Sequence, residues 1–385
     1  MYIAGVTSAP AAEPDPNAPK PSLFRRIVRK AWWLHSGFAL SFGLGVMLFA
    51  RAGLKYADKV MIALLGSWLL MFIALRFIVG PTNRRDDEKL IRKGLRVATN
   101  YVIKQFYQQM FFFLTPLYAS SSTWSLASWN WWLAPLLLIC AVVSTMDLVF
   151  DNFIMERRLL AAAMYGLAMF AMLNVMLPLL FGLDHMTGLI VAAAATPASV
   201  ALLSFSVKQV LSPQGAIITL VMTGVLLAGV WYGRTFIPPA PLAMPETAVG
   251  HGTAGSYECL PASKHVLEAT QLDGLRCGSM LREPGGLKEP VVHVWSHRGA
   301  QLGEPIKPDV LQCDDRDAVV ARSRFPPELL PADPTGKWSC ATYTIGGQLV
   351  GLRKFEVVGE PPKSDPPKTT TPALRDAGAG VAPTD

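Results

Sequence analysis

From Ala31 onward the chain carries a series of apolar runs, at 31–50, 60–80, 106–123, 131–150, 159–182, 186–207 and 214–232, separated by short polar stretches. Each is close to the roughly 20 residues that a helix needs to cross a bilayer core about 30 Å thick. The pattern therefore predicts about seven transmembrane helices. Beyond Pro238 the period changes: the short β-branched runs VVHVW, AVVARSRF, KWSCATYTI and LVGLRKFEVV are broken by Pro and Gly, and Gly346 and Gly347 fall between two of them as a hairpin turn. These runs predict a small antiparallel β-sandwich. Before residue 23 and after Glu360 the chain is rich in Pro, Ala and polar residues without an apolar period, which predicts a disordered leader and tail. The expected organisation is a leader (1–22), a membrane all-α bundle of about seven helices (23–235), a linker (236–255), a sandwich domain (256–359) and a tail (360–385).

Charge orients this plan. Residues 1–235 hold 20 Lys and Arg against 10 Asp and Glu, whereas residues 236–385 hold 15 against 18. The net charge of +7 thus comes from residues that flank apolar runs, not from a basic face on a folded domain, and nucleic acid is not an expected partner. With the N-terminus inside, the inner flanks collect fifteen basic residues: Lys20, Arg25, Arg26, Arg29, Lys30, seven between Arg84 and Lys104, Arg157, Arg158 and Lys208. The outer flanks collect four: Arg51, Lys55, Lys59 and Arg234. Lys and Arg are retained on the cytoplasmic side, so the count predicts a cytoplasmic N-terminus and a sandwich on the opposite side. Trp124, Trp129, Trp131 and Trp132 crowd the turn between the third and fourth runs and are expected at the outer headgroup level. On the inner side, KLIRKGLRVATNYVIKQ reads as an amphipathic interfacial helix.

Cysteine usage agrees with that orientation. Cys140 lies inside an apolar run, while Cys259, Cys277, Cys313 and Cys340 all fall in the last third. Four cysteines at that density read as disulfides in an oxidising compartment, and no pair has the Cys-x-x-Cys spacing that a zinc site favours, so no metal and no cofactor is expected. The residues alone leave three pairings open.

The strings RKAWWLHS, NYVIKQFYQQMFFFLTPLY, STMDLVFDNFIMERR and LNVMLPL, followed by VVHVW and GKWSCATYTIGGQLVGLRKFEV, resemble an uncharacterised bacterial family with a multi-pass region and a C-terminal domain of unknown function. The likeness covers about residues 24–235 and 275–358. It implies a bacterial inner-membrane protein with a periplasmic immunoglobulin-like sandwich, and it carries over no catalytic residue. GKWSC also resembles the late strand of an immunoglobulin-type sandwich, whose partner cysteine lies on an early strand, here LRCGSM; the resemblance implies Cys277 with Cys340 and Cys259 with Cys313.

The polar group that most invites a chemical role is Asp147, Asp151, Asn152, Glu156, Arg157 and Arg158, at the inner end of the fourth run. Asp147 and Asp151 are four apart, which on a continuous helix puts both carboxylates on one face, and Arg76 and Lys104 are expected at similar depth. A divalent ion bridging such carboxylates to a phosphate would use that arrangement; a structural ion-pair cluster near the headgroups is the expectation we favour. Gln105, Gln108, Gln109 and Asn174 are expected as hydrogen-bonding glue between helices, and Gly37, Ser41 and Gly45 as a packing seam. His293 and His297 on one strand are expected to pack beside Trp295 and Trp338, not to bind metal, and His35 and His185 to form ordinary interfacial hydrogen bonds. No Walker loop, Gly-x-Ser-x-Gly or His-Glu-x-x-His motif is present.

Two functions follow as expectations. The first is a non-enzymatic envelope protein whose sandwich binds a periplasmic partner while the helical body, embedded in the lipid bilayer, anchors or relays that contact. The alternative is a transporter or intramembrane enzyme that handles an anionic or lipid substrate at the cytoplasmic ends of spans two to four.

Overall fold

The computed structural model describes residues 107–125, 128–146, 149–154, 156–251, 260–261, 264–312 and 318–359, together with Gly37, Ser41, Leu44, Gly45, Lys59, Ile62 and Gly66 as isolated helical positions. A helix over 107–120 (α1) is enclosed on all sides, with Phe111, Phe112, Leu114 and Tyr118 fully buried. It is followed by α2 (Leu133–Thr145), α3 (Arg158–Phe181), α4 (His185–Ser204) and α5 (Pro213–Gly233). Within the described residues, three helices are long and apolar enough to cross a membrane, namely those built on α3, α4 and α5; α2 is apolar but shorter. The first two of the seven expected spans lie outside the described residues apart from those isolated positions. Gly37, Ser41 and Gly45 are helical positions; the rest of the expected packing seam lies outside the described residues.

Local chemistry sets the helix ends. Gly182 closes α3 in the left-handed region (φ 66°), donating its N–H to the Pro178 carbonyl. Two residues later the Asp184 carboxylate accepts from Thr187 N–H at 2.7 Å and starts α4. So short a connection makes α3 and α4 antiparallel neighbours. Ser212 caps α5, with Pro213 at its first position. Inside the bundle the Tyr118 hydroxyl donates to the Ala171 carbonyl and accepts from Asn174 Nδ2, tying α1 to α3. Asn174 thus joins helices, in the manner expected of a carboxamide between spans.

The fourth apolar run departs from expectation. Its helix stops at Thr145, Met146 leaves helical geometry, and a π-helical turn over Phe150–Ile154 follows. Ser144 and Thr145 both turn their hydroxyls back onto carbonyls three residues earlier, at 2.6 Å, which competes with the backbone ladder at that end.

Nine strands build two sheets. One has the order β1 (Ala243–Gly250), β3 (Arg276–Arg282), β7 (Ala318–Arg324), β6 (Asp309–Gln312). The other has β2 (Val266–Glu268), β9 (Leu349–Val358), β8 (Gly336–Thr344), β4 (Val291–His297), β5 (Ala300–Ile306). All pairings are antiparallel except β2 with β9. Alternation on β4 turns Val291, His293, Trp295 and His297 inward. Trp295, Trp338, Phe325 and Phe355 then pack mainly edge-to-face around a disulfide that joins Cys277 on β3 to Cys340 on β8. Cys259 and Cys313, and so any bond between them, lie outside the described residues.

The stretch expected as a linker contains β1, which pairs with β3 along most of its length. Its sequence, AMPETAVG, has little alternation of its own, and Pro245 sits where the register shifts between Ala243 and Glu246. Tertiary pairing, not local propensity, makes it a strand. Only a short segment separates α5 from β1, and Ile237, Ala240 and Leu242 within it are buried.

Candidate functional site

The described residues bring buried polar chemistry together at the junction of bundle and sandwich. Five connections meet there: the turn 121–132, the α3–α4 turn, the segment after α5, and the β3–β4 and β8–β9 loops of the sandwich. Asn130 Nδ2 donates to the Leu349 carbonyl at 3.0 Å, the Thr123 hydroxyl to Val350 at 3.2 Å, and Gln348 Nε2 to Ile237 at 3.2 Å. The hairpin that carries Gln348 comes so close to α4 that a Cβ on Gly346 would lie 2.5 Å from the Cβ of Met186. Glycine is required there for contact rather than for conformation. Its neighbour Gly347 has φ 86° and lies against the Arg234 side chain.

The centre of the junction is His185, Glu283 and Glu289, respectively 1%, 3% and 6% exposed. His185 is the first residue of α4, where N–H groups lack intrahelical partners, and its N–H donates to Glu289 Oε2 at 2.7 Å. A carboxylate at this position also complements the positive end of the helix dipole. The His185 imidazole Nε2 lies 3.3 Å from Glu283 Oε1, at ion-pair distance but without hydrogen-bond alignment. Glu283 opens the β3–β4 loop, and its Oε2 accepts from Lys288 N–H at 3.0 Å across the turn made by Gly285 and Gly286. Lys288 extends from that turn to the end of α3, where its ammonium donates to the carbonyls of Pro178 at 2.5 Å and Leu179 at 3.1 Å. It supplies donors to a helix C-terminus that lacks them.

Electrostatics follow from this enclosure. Burial pushes the Glu289 carboxyl above the usual carboxylate range, against the opposing pull of His185 and of the Thr344 hydroxyl. Asp184, nearer water, goes the other way: its partial burial acts upward, but the hydrogen bonds from Thr187 outweigh it and hold the pKa below the usual range. His185 Nδ1 and Nε2, Glu283 Oε1 and Glu289 Oε1 are all buried without a hydrogen-bond partner.

The polar cluster singled out from sequence is described only in part. Arg76, Lys104, Gln105, Asp147 and His35 are outside the described residues. The backbone of Asp151 belongs to the π-helical turn, and Glu156 is exposed. α2 ends at Thr145, before Asp147, and Asp151 lies in the π-helical turn; the position of Asp147 relative to it lies outside the described residues. Gln108 is fully buried on α1, and Arg157 places its guanidinium 3.9 Å from the Phe153 ring centre. His185, expected at a hydrated interface, is enclosed between helix and sandwich instead.

Inside the sandwich, His293 Nδ1 is 2.7 Å from the Ser323 hydroxyl and His297 Nε2 is 2.8 Å from the Thr335 carbonyl, so the two histidines face separate partners. The cluster of His, Cys and acidic groups with convergent ligand atoms found among the described residues is Cys277, His293 and Cys340, and its two sulfurs are joined as cystine.

The model of a family of unknown function, DUF5924, matches residues 20–275. The chain belongs to that family. The matched stretch takes in all five described helices with β1 and β2 and ends just before β3, so family membership is carried chiefly by the membrane part. No curated protein and no solved structure matches the chain.

Proposed function

We propose that the protein is a non-enzymatic envelope membrane protein whose sandwich, on the periplasmic face of a bacterial inner membrane, binds a protein partner, and whose helical body anchors and relays that contact. The observation that carries this reading is the junction. Loops at one end of the sandwich are seated on three helix-bundle connections by buried hydrogen bonds, with a short buried segment in place of a flexible tether. A force or a displacement at the sandwich is thereby felt at the ends of α3, α4 and α5. The connections 121–132, 182–184 and 234–242 all meet the sandwich, as alternating crossings require of the side that carries it; that this side is the outer one is read from the basic residues on the opposite flanks.

In this reading the sandwich is immunoglobulin-like. The order β1-β3-β7-β6 corresponds to strands A-B-E-D and β9-β8-β4-β5 to G-F-C-C′, with a cystine between B and F and a buried Trp295 on C. Such sandwiches commonly serve as binding modules, an analogy at the level of the fold. Among the described residues β6 and β5 are the outermost strands of the two sheets at one side, with the residues of β6 exposed and most of those of β5. Open strand edges are ready templates for a partner's strand.

The test is photo-crosslinking in the native membrane from probes at Gln301, Val310 and Gln312 of the full chain, with a probe at Leu220 on α5 as the lipid-facing control. One discrete protein adduct from the strand positions, and only lipid from Leu220, is the expected result. Inserted, disulfide-bonded protein that yields no protein adduct from any strand position would overturn the reading.

A further inference from the structure

The junction is built to hold together two elements that meet nowhere in the sequence, yet at its centre the buried His185 meets two carboxylates, Glu283 through its imidazole and Glu289 through its backbone N–H. With every group deprotonated, Glu283 and Glu289 place two negative charges in a pocket where each residue is at least nine-tenths buried. The nearby cation does not cancel them, because the Lys288 ammonium is occupied by the carbonyls of Pro178 and Leu179. Asp184, at the cap of α4, adds a third negative charge, tied to Thr187. The remaining charged groups at the junction are Arg234, whose side chain lies along Gly347, and Arg282 at the end of β3; the end of α3 and the hairpin tip 344–349 contribute no ionisable side chain. Buried like charges are relieved by a proton or by rehydration. Here rehydration means separating the sandwich from the helices.

We propose that Glu289, packed with His185 and Glu283, is a proton-holding clasp between bundle and sandwich, closed while its carboxyl keeps its proton and loosened when that proton is lost. Four observations converge on it. The His185 imidazole Nε2 and Glu283 Oε1 are 3.3 Å apart, so the helix and the loop carry facing polar groups at ion-pair distance. Four polar atoms of the trio have no hydrogen-bond partner, so the site has unused capacity for one. The trio bridges α4 and the β3–β4 loop, so its charge state acts directly on docking. Glycine at 346 keeps the neighbouring hairpin in van der Waals contact with Met186, so a small outward shift of the loop breaks a tightly fitted surface.

The sign follows from linkage. Burial raises the Glu289 pKa in the docked state, so the docked form binds the proton more tightly than the undocked one. Docking is then strongest at low pH and weakens as pH rises through that raised value. The inference concerns docking alone and holds whether or not the sandwich binds a partner.

Hydrogen–deuterium exchange of the full chain in lipid nanodiscs tests it, with rates corrected for the intrinsic pH dependence of exchange. Protection of segments 283–290 and 344–349, compared at each pH with the same segments of Glu289→Gln, is expected to fall severalfold as pH rises from about 4, below the usual carboxylate range, to about 8. Glu289→Gln keeps an acceptor for the His185 N–H but removes the titration, so its protection should stay high and flat. Glu283→Gln removes the neighbouring carboxylate, keeps Glu289 and should bring protection at high pH closer to that of Glu289→Gln. A wild-type profile without pH dependence overturns the clasp, as does an unchanged slope in a correctly folded Glu289→Gln. If both variants fail to keep the 291–297 core protected, the wild-type profile decides.

Discussion

Buried within the sandwich, His293 bonds the Ser323 hydroxyl through Nδ1, and burial lowers its pKa to about 4 from an ordinary value near 6.5. Ser279 and Thr342 make a similar hydroxyl contact between the sheets at 2.7 Å, so a polar layer crosses the core next to the aromatic cluster. A neutral buried imidazole has a definite pH signature. Above about pH 6.5 the unfolded chain and the folded chain both carry it uncharged, and it contributes no pH dependence. Below that value the unfolded chain takes up a proton that the folded core refuses, so stability falls until about pH 4 and then levels off. The loss is on the order of 3 kcal/mol, from about 1.4 kcal/mol per pKa unit. Denaturant unfolding of the full chain in detergent, followed through exchange at 291–297, should show this acid loss, and His293→Gln should remove most of it.

At the scale of elements, stability at the junction depends on helix ends finding donors and acceptors across a domain boundary. The C-terminus of α3 takes its donors from Lys288, a residue of the β3–β4 loop, and the N-terminus of α4 gives its first N–H to Glu289 from the same loop. One loop thus caps two helices of opposite polarity, with a cation at the negative end and a carboxylate at the positive end. Lys288→Met keeps the aliphatic stem and removes the ammonium. It should cost about 1.5–3 kcal/mol, the range for hydrogen bonds to a charged group. Exchange should rise at 178–182 and at 344–349 while the Cys277–Cys340 core keeps its protection. The same methionine placed at Lys354, on β9 away from this contact, should leave both segments unchanged.

For the molecule as a whole, the proposed orientation predicts where each end lies. A reporter active only in the periplasm, fused after Arg234, should be active, and a cytoplasmic reporter at the same point should be silent; the reverse pattern would invert the topology and place the sandwich in the cytosol. The membrane part and the sandwich are best regarded as one coupled body. α5, by contrast, is almost wholly exposed along its length, with Ile217, Leu220, Val221 and Val225 turned outward, a surface fit for lipid.

Run length and period were enough to locate α3, α4 and α5, because a bilayer demands a fixed length of apolar helix regardless of what packs beside it. The strands β4, β7, β8 and β9 were legible for a similar reason: strong alternation around Trp295, Trp338 and Cys340 imposes an inward face before any partner strand is known. Elements whose form comes from a partner were not. β1 is a strand through its ladder with β3, and α2 ends early through hydroxyls bonding back to its own carbonyls, neither of which changes the apolar pattern. The junction was hidden for the same reason. His185 and Glu289 are 104 residues apart and meet through one backbone hydrogen bond, and REPGGLKEP reads locally as nothing more than a charged turn. Its charges acquire their role only when the chain returns to the helix ends, since burial and proximity, not residue type, decide whether a carboxylate is solvated or holds a proton.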